Sequence, residues 1–150
     1  QKALARTSST PGRTQEINFF ELGTSRYIVD LPGYGYAKAP VAVVEKWQRL
    51  LKSYLSGRAT LRRTFVLIDG RHGIKAADQE IMTLLTKSAV TFQVVVTKCD
   101  KPKTGAIDAT LDQIRANLQN YPAAFPELVV TSAEKEQGLD TLRAIIATIT

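Results

Sequence analysis

Short apolar runs alternate with longer amphipathic stretches along this chain. Runs of about four to eight apolar residues bounded by turn residues are typical of buried strands. Stretches with apolar residues three or four positions apart predict helices instead, because that spacing lines one helical face. The pattern predicts strands at 17–22, 27–30, 64–69, 92–97 and 127–131, and helices at 43–55, 76–85, 107–118 and 139–149.

This alternation predicts an α/β fold, with an open, mostly parallel sheet that carries helices on both faces. The first two strands differ, because Gly23-Thr24-Ser25 between them predicts a hairpin and hence antiparallel neighbours. The strands at 27–30 and 64–69 are expected to be buried. A chain of 150 residues without repeats or a low-complexity linker fits one domain, 1–150.

The composition indicates which kinds of partner the protein could bind and in which compartment it is expected. The formal charge of +6 and the pI of about 9.6 favour a polyanionic partner. A single cysteine excludes an internal disulfide and leaves no pattern typical of a zinc site. No apolar run approaches the roughly 18 residues that span a bilayer, and no signal peptide is visible. We therefore expect a cytoplasmic protein with no membrane partner.

The loop Asp30-Leu31-Pro32-Gly33-Tyr34-Gly35-Tyr36-Ala37 follows the second predicted strand. In open α/β sheets the ligand lies beyond the carboxyl ends of the strands, so this loop is a candidate site. An Asp that leaves a strand is well placed to meet a metal ion. Gly33 has no Cβ and lets the backbone approach a phosphate. Taken alone, these residues are better explained by a simple Pro-Gly turn, so the other strand ends have to decide.

Two later strands also end in candidate ligand-binding residues. Thr97-Lys98-Cys99-Asp100 offers a carboxylate that could accept two hydrogen bonds from guanine, and adenine has no such donor pair. The aliphatic stem of Lys98 could lie along the purine face. Thr131-Ser132-Ala133 are small enough for backbone N–H groups to approach the guanine carbonyl. A charged surface turn explains Thr97 to Asp100 equally well when that motif is taken alone, and Thr131-Ser132-Ala133 alone carries almost no signal. The order of the three motifs, each at the end of a different predicted strand, favours a guanine-nucleotide site.

The chain resembles the EngB (YihA/YsxC) family of bacterial ribosome-assembly GTPases, in the translation-factor-like branch of P-loop GTPases. The resemblance covers nearly the whole chain, and Asp30-Leu31-Pro32-Gly33-Tyr34-Gly35-Tyr36-Ala37 is its most specific part. Thr97, where most GTPases have Asn, also resembles this family. The other residues that carry the resemblance are 10–15, Lys46-Trp47-Gln48-Arg49, Asp69, Arg71-His72, Lys98 to Asp100 and Thr131-Ser132-Ala133.

The resemblance implies GTP or GDP and Mg²⁺ as ligands. Thr14 would bind Mg²⁺ directly when GTP is present, and Asp30 would hold it through a water molecule. The Gly33 N–H would meet the γ-phosphate, and the two loops would switch between order and disorder. The implied nucleotide contacts are Gly12, Arg13, Thr14, Gln15, Glu16, Asp30, Leu31, Pro32, Gly33, Thr97, Lys98, Cys99, Asp100, Thr131, Ser132 and Ala133.

The phosphate-binding loop of this class is missing from the sequence. No G-x-x-x-x-G-K-[ST] occurs in the 150 residues, although that loop supplies the phosphate cradle and its lysine. In the fold that the resemblance implies, the strand before this loop lies between the strands at 27–30 and 64–69. We therefore expect an N-terminally incomplete domain whose working protein has upstream residues. Tyr34 stands where Ras-like enzymes have a water-orienting Gln. The resemblance implies that this is normal in the branch and that intrinsic hydrolysis is slow, and the sequence names no catalytic residue.

A basic stretch follows the Asp30 loop. The stretch from Lys38 to Arg63 contains seven basic residues and one acidic residue, Glu45. Its net charge of +6 equals that of the whole chain. Clustered cations suit the phosphate backbone of ribosomal RNA, and a solvated helix face is the alternative. The RNA-contact candidates are Lys46, Arg49, Lys52, Arg58, Arg62 and Arg63.

The function that this reading favours is a monomeric guanine-nucleotide switch with slow GTP hydrolysis. The resemblance implies that it acts in assembly of the large ribosomal subunit, bound to the subunit or its RNA, and is needed for normal cell division. The alternative is a non-hydrolysing RNA- or ribosome-binding scaffold that has lost phosphate binding. A dinucleotide-binding oxidoreductase is excluded, because no G-x-G-x-x-G follows a predicted strand.

Overall fold

The computed structural model describes residues 17–31, 33–34, 41–55, 58–103 and 105–149, with side chains within 41–55 described at 45 and 49–55. The chain divides into two compact units, residues 1–54 and residues 55–150. In the described ranges the elements follow in the order β1 (Asn18–Leu22), β2 (Arg26–Asp30), α1 (Val41–Leu55), β3 (Thr64–Asp69), α2 (Ala76–Lys87), β4 (Phe92–Thr97), α3 (Ala106–Leu118), β5 (Val129–Val130) and α4 (Leu139–Thr148).

In the first unit β1 and β2 form an antiparallel hairpin in which Phe20 pairs with Ile28. The predicted antiparallel pairing is therefore confirmed. The ring of Phe19 makes edge-on contacts with Tyr27 and Tyr54, with ring centroids 6.3 and 6.2 Å apart, so the end of α1 contacts the hairpin. The expectation that β2 is a buried strand is wrong for the described residues, because Tyr27 is 62% exposed there.

In the second unit β3, β4 and β5 form a parallel sheet in that order. The central strand β4 has the sequence FQVVVT, and its first five residues are buried. Such a run is typical of a strand covered on both faces. The core of this unit combines alternate residues of β3, most of β4, Val129 of β5 and the apolar faces of α2 and α3. Its buried apolar residues include Val66, Ile68, Met82, Leu85, Phe92, Val94, Val95, Val96, Leu111, Ile114, Leu118 and Val129.

The strand β3 departs from its predicted environment. Val66 and Ile68 are buried, but Leu67 between them is 61% exposed. The side chains of a strand alternate between its two faces, and no described residue covers the face that carries Leu67. The expectation that β3 is covered on both faces is therefore wrong within the described part of the chain. An unbroken apolar run predicts that a strand is suited to burial. It does not predict which other segment packs on each face of the strand.

The order and type of the predicted elements are confirmed, and no boundary differs by more than two residues. The largest difference is β5, which is confined to two residues instead of the predicted 127–131. The carbonyl of Glu127 accepts a hydrogen bond from the side-chain amide of the buried Gln93, at 3.1 Å. The Glu127 carbonyl is therefore bonded to a side chain, whereas the prediction placed it in the backbone hydrogen-bond ladder of a strand. None of the described helices is long and apolar enough to cross a membrane.

Candidate functional site

The three strands of the parallel sheet end at one level, which brings their following loops together. Asp69 is paired with Thr97, and Val96 with Val130. Beyond the last ladder pair the Thr131 N–H donates to the Val96 carbonyl at 2.7 Å, and the Cys99 N–H donates to the Thr131 carbonyl at 3.2 Å. Because these bonds join the loops after β4 and β5, the predicted residues of both loops lie at one edge of the sheet.

Asp100 and Ser132 meet at this edge. The Ser132 hydroxyl donates to Asp100 Oδ1 at 2.5 Å, and Ser132 Oγ accepts from the Lys135 N–H at 3.1 Å. The Asp100 side chain is only 8% exposed. The hydrogen bond from Ser132 is the main reason that the pKa of Asp100 lies below its usual range. The backbone N–H of Asp100 and the contact with Lys101 add to the effect, while burial opposes it. Asp100 is therefore ionised at neutral pH, and its two oxygens together have about four acceptor positions.

The backbone of the loop after β5 folds tightly on itself. Ser132 and Gln137 exchange two backbone hydrogen bonds, both of 3.0 Å. The N–H of Ser132 is thereby used within the loop and is not offered to a ligand. In the part of the chain that the structure describes, nothing accepts a hydrogen bond from the Ala133 N–H. Of the two backbone donors expected for the guanine carbonyl, Ala133 is the one that the loop leaves available.

Gly138 closes this loop and begins α4. Its φ is +70°, and a Cβ added there would lie 2.0 Å from the carbonyl oxygen of Val130. Only glycine has both the left-handed backbone and the lack of a side chain that this approach requires. Gly138 therefore fixes the path by which the chain leaves the 131–137 loop. The sequence contained one signal for it, a glycine directly before a predicted helix.

A second charged cluster joins the ends of β3 and β4. Arg71 binds Asp69 in a bidentate manner, with Nε to Oδ1 at 2.9 Å and Nη2 to Oδ2 at 2.7 Å, and Lys98 Nζ reaches Oδ2 at 3.0 Å. Lys98 has a φ of +58°, which is uncommon for a residue other than glycine. The hydrogen bond from Arg71 is the main reason that the pKa of Asp69 lies far below its usual value, and Lys98 adds to the effect.

Changing Asp69 to Asn is expected to lower the free energy of unfolding of the full-length protein by about 1 kcal/mol at pH 7. A carboxyl whose pKa is depressed in the folded state stabilises the fold above its unfolded pKa of about 3.9. That contribution disappears as the pH falls toward the folded value. Urea unfolding of both proteins between pH 7 and pH 3.5 should show the difference shrinking below about pH 4. The same difference at every pH would contradict the assignment, and Asp112→Asn serves as the exposed control.

Thr97 and Cys99 have structural partners in the loop after β4. The Thr97 hydroxyl donates to the carbonyl of Ile68 at 3.2 Å, and the Cys99 thiol donates to the carbonyl of Val96 at 3.4 Å. Partial burial raises the pKa of the Cys99 thiol, so it is protonated at neutral pH. Both side chains therefore support the loop that presents Lys98 and Asp100.

The residues predicted to bind phosphate and metal belong to the other unit. Of these, residues 12–16 and 32 lie outside the described residues. Asp30 is the last residue of β2, pairs with Asn18 in the ladder and is exposed to solvent. Among the described residues, no three or more His, Cys, Asp or Glu side chains are grouped so that they could hold a metal ion. One exposed carboxylate still fits Mg²⁺, which usually keeps waters and takes one or two carboxylates plus substrate phosphates.

The predicted RNA-contact residues are not equivalent. The Arg63 guanidinium lies 4.0 Å from the centre of the Phe125 ring and donates to Gln93 Oε1 at 3.0 Å. Arg63 therefore packs within the protein, which argues against the prediction that it contacts RNA. Arg49 forms an exposed pair with Glu45 at 3.9 Å. Lys52, Arg58 and Arg62 are also exposed, whereas the side chain of Lys46 lies outside the described residues.

An ion pair that the sequence did not predict bridges the two loops of the site. Lys101 Nζ contacts Asp100 Oδ2 at 3.3 Å and also pairs with the carboxylate of Glu134. The residues are 33 positions apart, so no local pattern indicates this contact. The register of β4 and β5 does indicate it. Val96 pairs with Val130, and Lys101 and Glu134 follow these two residues at similar distances along the chain, five and four residues later.

Comparisons with known proteins identify the family. A family model described as "50S ribosome-binding GTPase" matches residues 1–98. The probable GTP-binding protein EngB of Cereibacter sphaeroides is 66% identical over 149 residues, which cover 99% of this chain and 69% of that protein. This chain belongs to the EngB family of GTP-binding proteins. The EngB of Roseobacter denitrificans is 67% identical over 150 residues, which cover 100% of this chain and 69% of the relative.

The fold is that of a P-loop GTPase. The crystal structure of a probable EngB GTP-binding protein has a TM-score of 0.68 to this chain, at 18% identity, and the match covers 89% of this chain and 82% of that one. At this identity the match bears on the fold alone. EngB membership makes guanine nucleotide the ligand class of this chain and confirms the family resemblance.

Proposed function

We propose that this EngB protein is a guanine-nucleotide switch with slow GTP hydrolysis that acts in assembly of the large ribosomal subunit. The observation that carries the proposal is the ionised, nearly buried Asp100 held by Ser132 at the edge of the sheet. A fixed carboxylate beside an available backbone N–H, that of Ala133, matches the donors and the carbonyl on the guanine edge. Adenine would leave this carboxylate unpaired, which costs binding energy.

The base site would be completed by Thr97, Lys98, Cys99 and Thr131. Lys98 would lie along the purine with its ammonium held at Asp69. Phosphates would be held in the other unit, by Asp30, Leu31, Pro32, Gly33 and residues 12–16. Asp30, through a water, and Thr14 would hold Mg²⁺, which neutralises charge on the phosphates.

The ribosomal role is supported by the description of the matching family, "50S ribosome-binding GTPase". The exposed cations Arg49, Lys52, Arg58 and Arg62 are suited to RNA phosphates, and Lys46 belongs to the same basic stretch. We further propose one G domain in a cytoplasmic monomer, with a role in normal cell division and septation that follows from ribosome supply.

The test is sedimentation of the full-length protein with isolated large ribosomal subunits. We expect at least about tenfold tighter binding with a non-hydrolysable GTP analogue than with GDP, because a switch shifts only by its differential affinity. The corresponding ATP analogue should have no effect. Arg62→Gln should weaken the complex and reduce its salt dependence by about one phosphate contact. Arg143→Gln, which removes an exposed charge from α4, is the matched control.

Equal sedimentation with every nucleotide would exclude a switch and leave a nucleotide-independent ribosome-binding scaffold. No sedimentation under any condition would exclude the ribosomal partner. Adding subunits should also raise the GTP turnover of the full-length protein. Unchanged turnover would argue against a catalytic contribution from the ribosome.

A further inference from the structure

We propose that Lys101 and Glu134 form a clasp across the guanine site, in which Glu134 holds Lys101 and Lys101 positions Asp100. The clasp would slow release of the base and sharpen selection of guanine. Lys101 is a positioning residue in this proposal, because it acts through Asp100. The inference rests on the proposed base site at Asp100.

The clasp starts from two contacts at the Asp100 carboxylate. Asp100 Oδ1 accepts from Ser132, and Asp100 Oδ2 lies 3.3 Å from Lys101 Nζ. Each carboxylate oxygen therefore has a side-chain partner, which fixes the plane of the carboxylate from both ends. Each oxygen has a second acceptor position left, and guanine presents two adjacent donors. A plane fixed in advance reduces the ordering cost when both donors bind.

Glu134 supplies the second anchor for Lys101. The Lys101 ammonium lies between Asp100, on its own loop, and Glu134, on the loop after β5. Both carboxylates raise the pKa of Lys101, and Glu134 makes the larger contribution. The lysine side chain is 44% exposed and that of Glu134 is 59% exposed. Solvent therefore reaches the pair, which can open to admit or release a base.

Two other exposed ion pairs form for a simpler reason than the pair between Lys101 and Glu134. Asp112 pairs with Arg115, and Asp140 with Arg143, each at 2.8 Å and each three residues apart on one helix. Helical periodicity alone brings such residues together. Lys101 and Glu134 have no helix to join them, and their contact connects two loops that are presented by different strands.

The magnitudes separate an effect on ligand release from an effect on folding. An exposed ion pair contributes little to stability, so loss of Glu134 should leave the unfolding transition nearly unchanged. The contact between Lys101 and Asp100 differs, because the carboxylate is almost completely withdrawn from solvent. A bond to a desolvated charge is stronger than an exposed one. We therefore expect the larger effect from the lysine variant and a smaller one from the glutamate variant.

The experiment measures dissociation of ribose-labelled fluorescent GDP from the full-length protein after a chase with unlabelled GDP. Lys101→Met should speed release about three- to tenfold and Glu134→Gln about two- to threefold. Lys101→Arg retains the charge and should stay within about twofold of the parent protein. Arg115→Met and Asp112→Asn make the same charge changes at an exposed helical pair and should have no effect.

A second readout separates positioning of Asp100 from loosening of the loop. Competition with IDP, which lacks the exocyclic amine of guanine, measures how well both donors are read together. Lys101→Met should lower the preference for GDP over IDP by at least about threefold, because a freely turning carboxylate pairs poorly with two donors at once. General loosening would weaken both nucleotides equally, and that result would overturn the proposal.

Other outcomes are equally decisive. If the parent protein binds GDP and both clasp variants release it like their controls, the clasp is wrong and the base site stands. If Lys101→Arg behaves like Lys101→Met, the charge does not act and the clasp is wrong. If the parent protein binds no guanine nucleotide, the proposed base site and the clasp both fall.

Discussion

Replacing Gly138 with alanine is expected to destabilise the full-length protein by about 2–5 kcal/mol, because a left-handed backbone and a backbone clash are penalised together. The φ of +70° alone disfavours a side chain, and the added Cβ would lie 2.0 Å from the Val130 carbonyl oxygen. Relief requires the 131–137 loop to move away from the end of β5. Urea unfolding gives the loss of stability, and GDP affinity should fall with it.

Gly105 is the matched control for this substitution. It stands directly before α3 as Gly138 stands before α4, and its φ is +84°. Apart from the residues adjacent to it in the chain, no described residue has an atom within 4 Å of a Cβ added there. Gly105→Ala should therefore cost only about 1–2 kcal/mol. Equal losses for the two variants would show that the approach to Val130 carries no energetic weight.

The candidate base site could be predicted from the sequence because parallel strands bring their carboxyl ends to one edge. Asp100 and Ser132 each follow a predicted strand, and the structure joins them by a hydrogen bond. The information required was only the element order and the position of each strand end. Those features depend on local apolar runs, which the chain displays clearly.

Contacts that depend on register were beyond sequence reasoning. The pairing of Val96 with Val130 sets which residues of the following loops are opposite, and no sequence pattern fixes that pairing. Lys101 and Glu134 each look like an ordinary solvated charge until the register is known. The same limit applies to Arg63, whose guanidinium lies on Phe125 although its sequence neighbours are basic and exposed.

The burial of individual strands was the second feature that the sequence did not predict. The runs at Tyr27 and Leu67 indicate strands that could be covered, yet both side chains are more than half exposed among the described residues. Apolar composition reports what a strand tolerates, while cover depends on which other segments pack there. Sequence reasoning therefore predicted the type of these elements correctly and their surroundings incorrectly.

Changing Asp100 to Asn is expected to reduce GDP affinity of the full-length protein at least about 100-fold, because two hydrogen bonds to an ionised acceptor are lost or reversed. The asparagine oxygen can still accept from Ser132, so the loop should persist and the unfolding transition should move little. The new amide places an N–H group where guanine also has donors. Fluorescent GDP titrations, competed with unlabelled GDP, GTP and ATP, measure the loss.

Xanthine nucleotides distinguish a changed base preference from misfolding, because a misfolded variant would lose GDP binding without gaining XDP binding. Xanthine carries a carbonyl where guanine carries the exocyclic amine, so the amide introduced by Asp100→Asn donates to that carbonyl while its oxygen accepts from the ring N–H. The Asp100→Asn protein should therefore bind XDP more tightly than the parent protein does, by at least about tenfold. Asp112→Asn makes the same chemical change on the exposed face of α3 and should alter neither nucleotide. A variant that loses GDP without gaining XDP would place the base-reading group elsewhere.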